Sequence, residues 1–176
     1  MKLYIVRHGE TEENRLHMLQ GHLPGKLTLQ GIEQVRRTAE YLVSQNITFS
    51  RIVSSDLKRA MDSAQILAEN LNLPIIPMKM LRERDWGKYT GITIAEAKEK
   101  YFKEGKWNFP DSAETDEEIY QRAQNVLMYL KENYNDEVIL LVTHGQFARN
   151  LFGAHQGCSY KEIPSFSNAE VRVMEV

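Results

Sequence analysis

Short apolar runs alternate along this chain with longer stretches in which apolar residues recur every three or four positions. The runs suit buried strands, and the longer stretches suit helices buried along one side. Leu3 to Val6 is the first run. Thr28 then opens a helix with Ile32, Val35, Ala39 and Leu42 at helical spacing. Phe49 to Ser54 reads as a second strand, and Asp56 is the expected cap of a helix carrying Leu57, Ala60, Ala64 and Leu67 on one face. Pro74 to Met78 fits a short third strand, which its two prolines push toward a sheet edge. Two capping boxes follow. Thr93 with Glu96 precedes a short helix through Tyr101; Thr115 with Glu118 precedes a longer one with Ile119, Ala123, Val126 and Leu130 inward. Val138 to Val142 is the clearest strand, followed by a helix around Phe147 to Leu151 and a last strand from Val171 to Val176. The alternation predicts an α/β three-layer sandwich, a mostly parallel central sheet with helices on both faces, as one domain over residues 1–176.

Composition narrows the class. The 176 residues are 42% hydrophobic and 26% charged, with 10 Gly and 5 Pro, which excludes collagen-like, disordered and disulfide-scaffold chains. The single cysteine, Cys158, has no internal partner for a disulfide. The longest wholly aliphatic run, Val138 to Val142, is far short of the ~18 residues of a membrane span. Leu3 to Val6 is cut by Arg7 and is too short for a signal-peptide core. A soluble cytoplasmic protein without a membrane partner is expected. A net charge of −2 weighs against non-specific nucleic-acid binding, while leaving room for a local positive pocket. Nothing in the sequence bears on oligomeric state.

In open α/β sheets, ligands sit beyond the carboxyl ends of strands. Three strands here end in polar sequences: Arg7-His8-Gly9-Glu10-Thr11, Ser54-Ser55-Asp56 and Thr143-His144-Gly145. Two histidines at strand exits, each followed by a glycine that permits a sharp turn, are hard to explain as packing. His17, His22 and His155 lie in loop-like segments and are expected to be solvated or structural. Several familiar motifs fail at definite residues. His8-Gly9-Glu10 lacks the cysteine pair of a zinc deaminase. Gly21 to Lys26 is one residue short of a P-loop, with Leu27 where a hydroxyl should stand. No metal and no cofactor are expected. What remains suits a small phosphorylated substrate. Arg7 and Arg59 offer planar cationic forks that match phosphate oxygens. Arg59 falls in the first turn of its helix, and Gly145-Gln146 opens another, so two helix N-termini could also receive an anion. A neutral histidine is a competent nucleophile.

Arg7-His8-Gly9-Glu10-Thr11-Glu12-Glu13-Asn14 resembles the signature of the histidine phosphatase superfamily, also called the phosphoglycerate mutase-like family. The likeness continues in order through Leu27 to Gly31, Ser54 to Ala60, Leu81 to Gly87, Val142 to Gly145 and Asn168-Ala169. The resemblance implies that His8 is phosphorylated during turnover, that Arg7, Arg59 and His144 hold the phosphoryl group, and that Asn14 adds a hydrogen bond. It also implies Glu83 as proton donor. Gln20, Gly21, Arg84, Trp86, Gly145 and Gln146 then line the substrate site. Departures fall where substrates are recognised: Tyr89-Thr90-Gly91 replaces Trp-Glu-Gly, and Ala113-Glu114-Thr115 replaces Gly-Glu-Ser. Trp86, Tyr89, Trp107 and Phe109 cluster in the stretch expected to form a lid, either packing it or facing the pocket, together with the basic residues Lys88, Lys103 and Lys106. The expected activity is a metal-independent phosphomonoesterase working through a phosphohistidine. A phosphoglycerate mutase is disfavoured because the true mutases carry a longer basic insertion. A non-catalytic phospholigand-binding module is disfavoured because every catalytic position is filled.

Overall fold

A computed structural model describes residues 1–104 and 106–176; the side chain of Lys106 also lies outside the described residues. In chain order the elements are β1 (Lys2–Arg7), α1 (Glu12–Arg15), α2 (Leu29–Ser44), β2 (Arg51–Ser54), α3 (Lys58–Leu71), β3 (Ile75–Pro77), α4 (Ile94–Tyr101), β4 (Phe102–Lys103), β5 (Lys106–Trp107), α5 (Asp116–Tyr134), β6 (Val138–Thr143), α6 (Gly145–Gln156) and β7 (Val171–Glu175). The main sheet has the order β3-β2-β6-β1-β7. Four of its strands are parallel, and β7 runs antiparallel to β1 at one edge.

The central strands β1, β2 and β6 read as near-continuous apolar runs because both of their faces are buried. Leu3, Ile5, Ile139 and Leu141 pack against Ile119, Val126 and Leu130 of α5 and Phe147 and Leu151 of α6. Val6, Ile52, Leu140 and Val142 pack on the other face against Val35, Ala39 and Leu42 of α2 and Ala60, Ala64 and Leu67 of α3. A third, smaller cluster joins Leu19, Trp86, Tyr89 and Ala97 beside the sheet's carboxyl end. The three-layer arrangement is the one the sequence pattern predicts, with β3 at the expected edge.

Several details differ. Asp56 does not cap α3: Leu57 occupies the cap position without a side-chain bond. The Asp56 carboxylate instead takes both Nε and Nη2 of Arg82, at 2.6 and 2.7 Å. A bidentate charge-assisted pair outcompetes a single capping bond. The second strand begins only at Arg51; Phe49 turns inward, edge-on to Tyr4 with centroids 5.0 Å apart. The small β4–β5 ladder carries no sequence signature, its two-residue strands being too short to show a period.

Candidate active site

Register brings the two strand-exit histidines together. Arg7 of β1 lies opposite Thr143 of β6, so the next residue of each strand, His8 and His144, leaves the sheet beside the other. Their ring centroids are 5.2 Å apart. Both are buried, at 2% and 0% exposure. His8 Nδ1 lies 2.7 Å from the Gly9 carbonyl, an acceptor without a proton, so Nδ1 carries the hydrogen. Nε2 is left with its lone pair, which accepts the Nε–H of Arg59 at 3.2 Å. Burial, then the charges of Arg59 and Arg7, hold the His8 pKa well below the ordinary histidine value. Burial and Arg59 do the same to His144. Two neutral imidazoles therefore sit among permanent cations.

The turn after His8 needs glycine for space. A Cβ on Gly9 would stand 2.4 Å from the Gly31 carbonyl oxygen at the start of α2. The Gly9 N–H is taken by Ser63 Oγ of α3 at 3.1 Å, which seats the turn against both helices.

Arg59 enters from the first turn of α3 and is 1% exposed. Its Nη2 donates to the Gly21 carbonyl at 2.9 Å and its Nη1 to that of Leu23. Those bonds hold the 21–25 loop, where Gly21 and Gly25 adopt positive φ of 48° and 69°. Burial lowers the Arg59 pKa to about 10, so it remains a cation at neutral pH. Arg7 donates Nη1 to the Phe166 carbonyl at 2.6 Å, while its buried Nε has no partner. His144 Nε2 lies 2.8 Å from Ser55 Oγ, and its buried Nδ1 is likewise unpartnered.

A cavity of about 170 Å³ is lined by Arg7, His8, Asn14, Gln20, Arg59, Glu83, Trp86 and Gln146, with His144 behind it against the His8 ring. Asn14 Oδ1 accepts from the Thr11 N–H and from Asn168 Nδ2, at 3.1 Å each. Gln20 Oε1 accepts from Thr11 Oγ1. Gly21 contributes its carbonyl to Arg59. Gly145 stands against Arg7, where a Cβ would come 3.2 Å from Nε.

Glu83 reaches this cavity from the segment after β3. Its carboxylate accepts the N–H of Gln146 at 3.1 Å, of Phe147 at 3.0 Å and of Arg84 at 2.9 Å. Here the sequence expectation is corrected: two first-turn donors of α6, the N–H groups of Gln146 and Phe147, serve the chain's own carboxylate. The Arg59 N–H of α3 is also taken, by the Pro24 carbonyl at 2.9 Å. The cationic groups left at the cavity are therefore side chains, those of Arg7 and Arg59.

Arg84 is not brought into the cavity. It donates to the Glu114 carbonyl and the Asp116 carboxylate, at 2.7 Å each, and lies over the Trp86 ring. Tyr89 is 3% exposed and packs against Tyr101 and Phe109. Lys88 pairs with Asp111, and Lys103 is exposed. Trp86 faces the cavity, and Trp107, parallel to Phe109 at 5.6 Å, borders a second chamber beside it. His22 is structural, its Nε2 3.0 Å from the Glu83 carbonyl.

Sequence reasoning missed one residue that holds Glu83 in place. Arg122 of α5 donates Nη1 to the carbonyls of Met80 and Arg82, at 2.8 Å each. Its Nε and Nη2 meet the Glu114 carboxylate at 2.8 and 2.7 Å. The guanidinium also lies 4.3 Å over the Phe147 ring. Glu114 Oε2 in turn accepts the Asp85 N–H at 3.1 Å. Glu114 lies eight positions before Arg122, not a helix-face spacing, and the carbonyls of Met80 and Arg82 lie about 40 away, so no local pattern marks Arg122. Among the described residues there is no group of three or more His, Cys, Asp or Glu able to hold a metal ion, and no helix long and apolar enough to cross a membrane.

The chain matches the sequence model of the histidine phosphatase superfamily (branch 1) over residues 3–176. It is 32% identical to phosphoglycerate mutase-like protein 4 of Arabidopsis thaliana, covering 99% of this chain and 79% of that one. It is 36% identical to an uncharacterized phosphatase of Bacillus subtilis, over 80% of this chain and 70% of that one. The fold superposes on a mycobacterial glucosyl-3-phosphoglycerate phosphatase solved with VO3, at a TM-score of 0.86 and 25% identity. That match covers 99% of this chain and 92% of the other.

Proposed function

Because the chain belongs to the histidine phosphatase superfamily, we propose that it is a phosphomonoesterase whose metal-independent reaction passes through a phosphohistidine at His8. The observation that carries this reading is the Nδ1–H bond to the Gly9 carbonyl, which leaves the Nε2 lone pair in a buried pocket of cations. Substrate binding exchanges the Arg59 Nε–H from His8 to a phosphoryl oxygen, which frees that lone pair. Arg7, Arg59 and His144 then stabilise the oxygens of the transferring group, with Asn14 as a further donor.

Nε2 attacks phosphorus, a P–N bond forms, and the P–O bond to the alcohol breaks. Glu83 acts as the general acid, passing a proton to the departing oxygen. The resulting carboxylate takes a proton from water as that water attacks phosphorus. The P–N bond breaks, His8 returns neutral, and inorganic phosphate leaves. The phosphatase names of relatives with similar sequence or fold support a hydrolytic reading.

The test is an alkaline quench of the wild-type protein during turnover of a radiolabelled phosphomonoester in the presence of a chelator. An alkali-stable, acid-labile label on His8, and loss of turnover in His8→Ala, are expected. Turnover of His8→Ala near the wild-type rate overturns the mechanism.

A further inference from the structure

A second chamber of about 310 Å³ adjoins the cavity beside His8, and Arg7, Glu83, Trp86 and Gln146 border both spaces. Trp107 and Phe166 give the chamber apolar walls, and Arg149, Tyr160 and Ser165 give it polar ones.

The pairing of the arginines makes Arg149 unusual. Arg51, Arg82, Arg84, Arg122 and Arg172 each bond a carboxylate: Glu137, Asp56, Asp116, Glu114 and Glu170. Among the described residues, the arginines that are at least partly buried and have no carboxylate partner are Arg7, Arg59 and Arg149. Two of these three wall the pocket beside His8. The third walls the chamber next to it. Arg149 projects from α6, donates Nε to the Ile163 carbonyl at 2.8 Å, and lies 5.2 Å over the Tyr160 ring. These contacts fix its plane and leave both Nη groups without a protein partner among the described residues. A partly desolvated guanidinium that only pinned α6 to Ile163 would need no opening into a ligand chamber. An anionic ligand there would supply the missing counter-charge.

We infer that the second chamber receives the alcohol portion of the phosphomonoester and that Arg149 binds a carboxylate carried on it, while Trp107 covers its carbon skeleton. As a statement about hydrolysis this rests on the phosphomonoesterase reading; as a statement about binding it does not. The test is therefore a binding measurement with two non-hydrolysable probes of the same shape, 4-carboxybenzylphosphonate and 4-carbamoylbenzylphosphonate. The wild-type protein should bind the carboxylate at least tenfold more tightly by calorimetry. The preference should fall to near unity in Arg149→Gln and persist in part in Arg149→Lys, with thermal unfolding monitored for all three proteins. Equal affinity of the wild-type protein for the two probes overturns the inference without any variant. So does a preference that survives Arg149→Gln. A clear preference in a protein that hydrolyses no phosphomonoester would sink the catalytic reading and keep this one. Turnover of p-nitrophenyl phosphate with no charge preference would do the reverse.

Discussion

Replacing Arg122 by Ala should loosen the segment that carries Glu83 while leaving the pocket around His8 intact. Arg122 and Glu114 are 20% and 14% exposed, so their pair is largely shielded from solvent. The variant loses a bidentate bond to the Glu114 carboxylate and the bonds to the Met80 and Arg82 carbonyls. Neutral hydrogen bonds contribute about 1 kcal/mol each and charged ones about 1.5–3. Removing one partner of a buried pair typically costs about 3–5 kcal/mol. Glu114 keeps the Asp85 N–H and some solvent contact, which points to the low end, about 3 kcal/mol. For a chain of this length that corresponds to a fall in Tm of about 6–12 °C. The kinetic signature is more telling. If Arg122 acts through Glu83, turnover of an alkyl phosphate, which needs a proton for its leaving oxygen, should fall at least tenfold further than turnover of p-nitrophenyl phosphate. Arg122→Lys should recover part of both losses. An unchanged Tm would refute the energetic argument. Equal losses on the two esters would refute the link to Glu83.

Glu83→Gln keeps the side chain's shape but not its proton, so its loss on an alkyl ester should reach about 10²–10⁴-fold with far less on the aryl ester. Parallel losses would move the acid role to a neighbour such as Asp85. Burial and the nearby arginines depress both His8 and His144, so below about pH 6.5 the unfolded chain binds protons that the folded chain refuses. Stability should be complete above that pH and decline as pH falls, by up to about 1.4 kcal/mol per pH unit for each histidine. Urea titrations from pH 7 to 5 should show this, with the slope about halved in His144→Gln; a flat profile would contradict it. Gly9→Ala should cost about 1–3 kcal/mol through overpacking against Gly31 and should weaken binding of inorganic phosphate. Wild-type values for both would show that the turn has slack.

The sheet and its helices were legible because the central strands are buried on both faces and each long helix keeps one apolar stripe. Thr28, Thr93 and Thr115 could be read as caps because capping is a local contact. Asp56 could not, since the choice between capping α3 and pairing with Arg82 depends on a segment that only the fold brings near. The same limit hid Arg122 and the uses of Arg84. Position along a strand was enough to nominate His8 and His144, but not to show that the Gln146 and Phe147 N–H groups of α6 are occupied by Glu83. Neither could residue types alone distribute the lid aromatics: Tyr89 inward, Trp86 toward the cavity, Trp107 at the chamber.

The sheet order also governs when this chain can become active as it is synthesised. β2 and β3 pair across a single helix, so that unit can form early. β1 has no such neighbour: the strands that flank it, β6 and β7, begin only at Val138 and Val171. Until they exist, Leu3, Ile5 and Val6 belong to an unpaired apolar segment, the kind of species that aggregates or engages chaperones. Such distant pairing is also slow to form, because loop closure must precede the contacts that reward it. His8 waits with that strand. Arg59 can be placed early with the β2–β3 unit, but the pocket beside His8 is whole only when the late pairing of β1 with β6 closes the sheet.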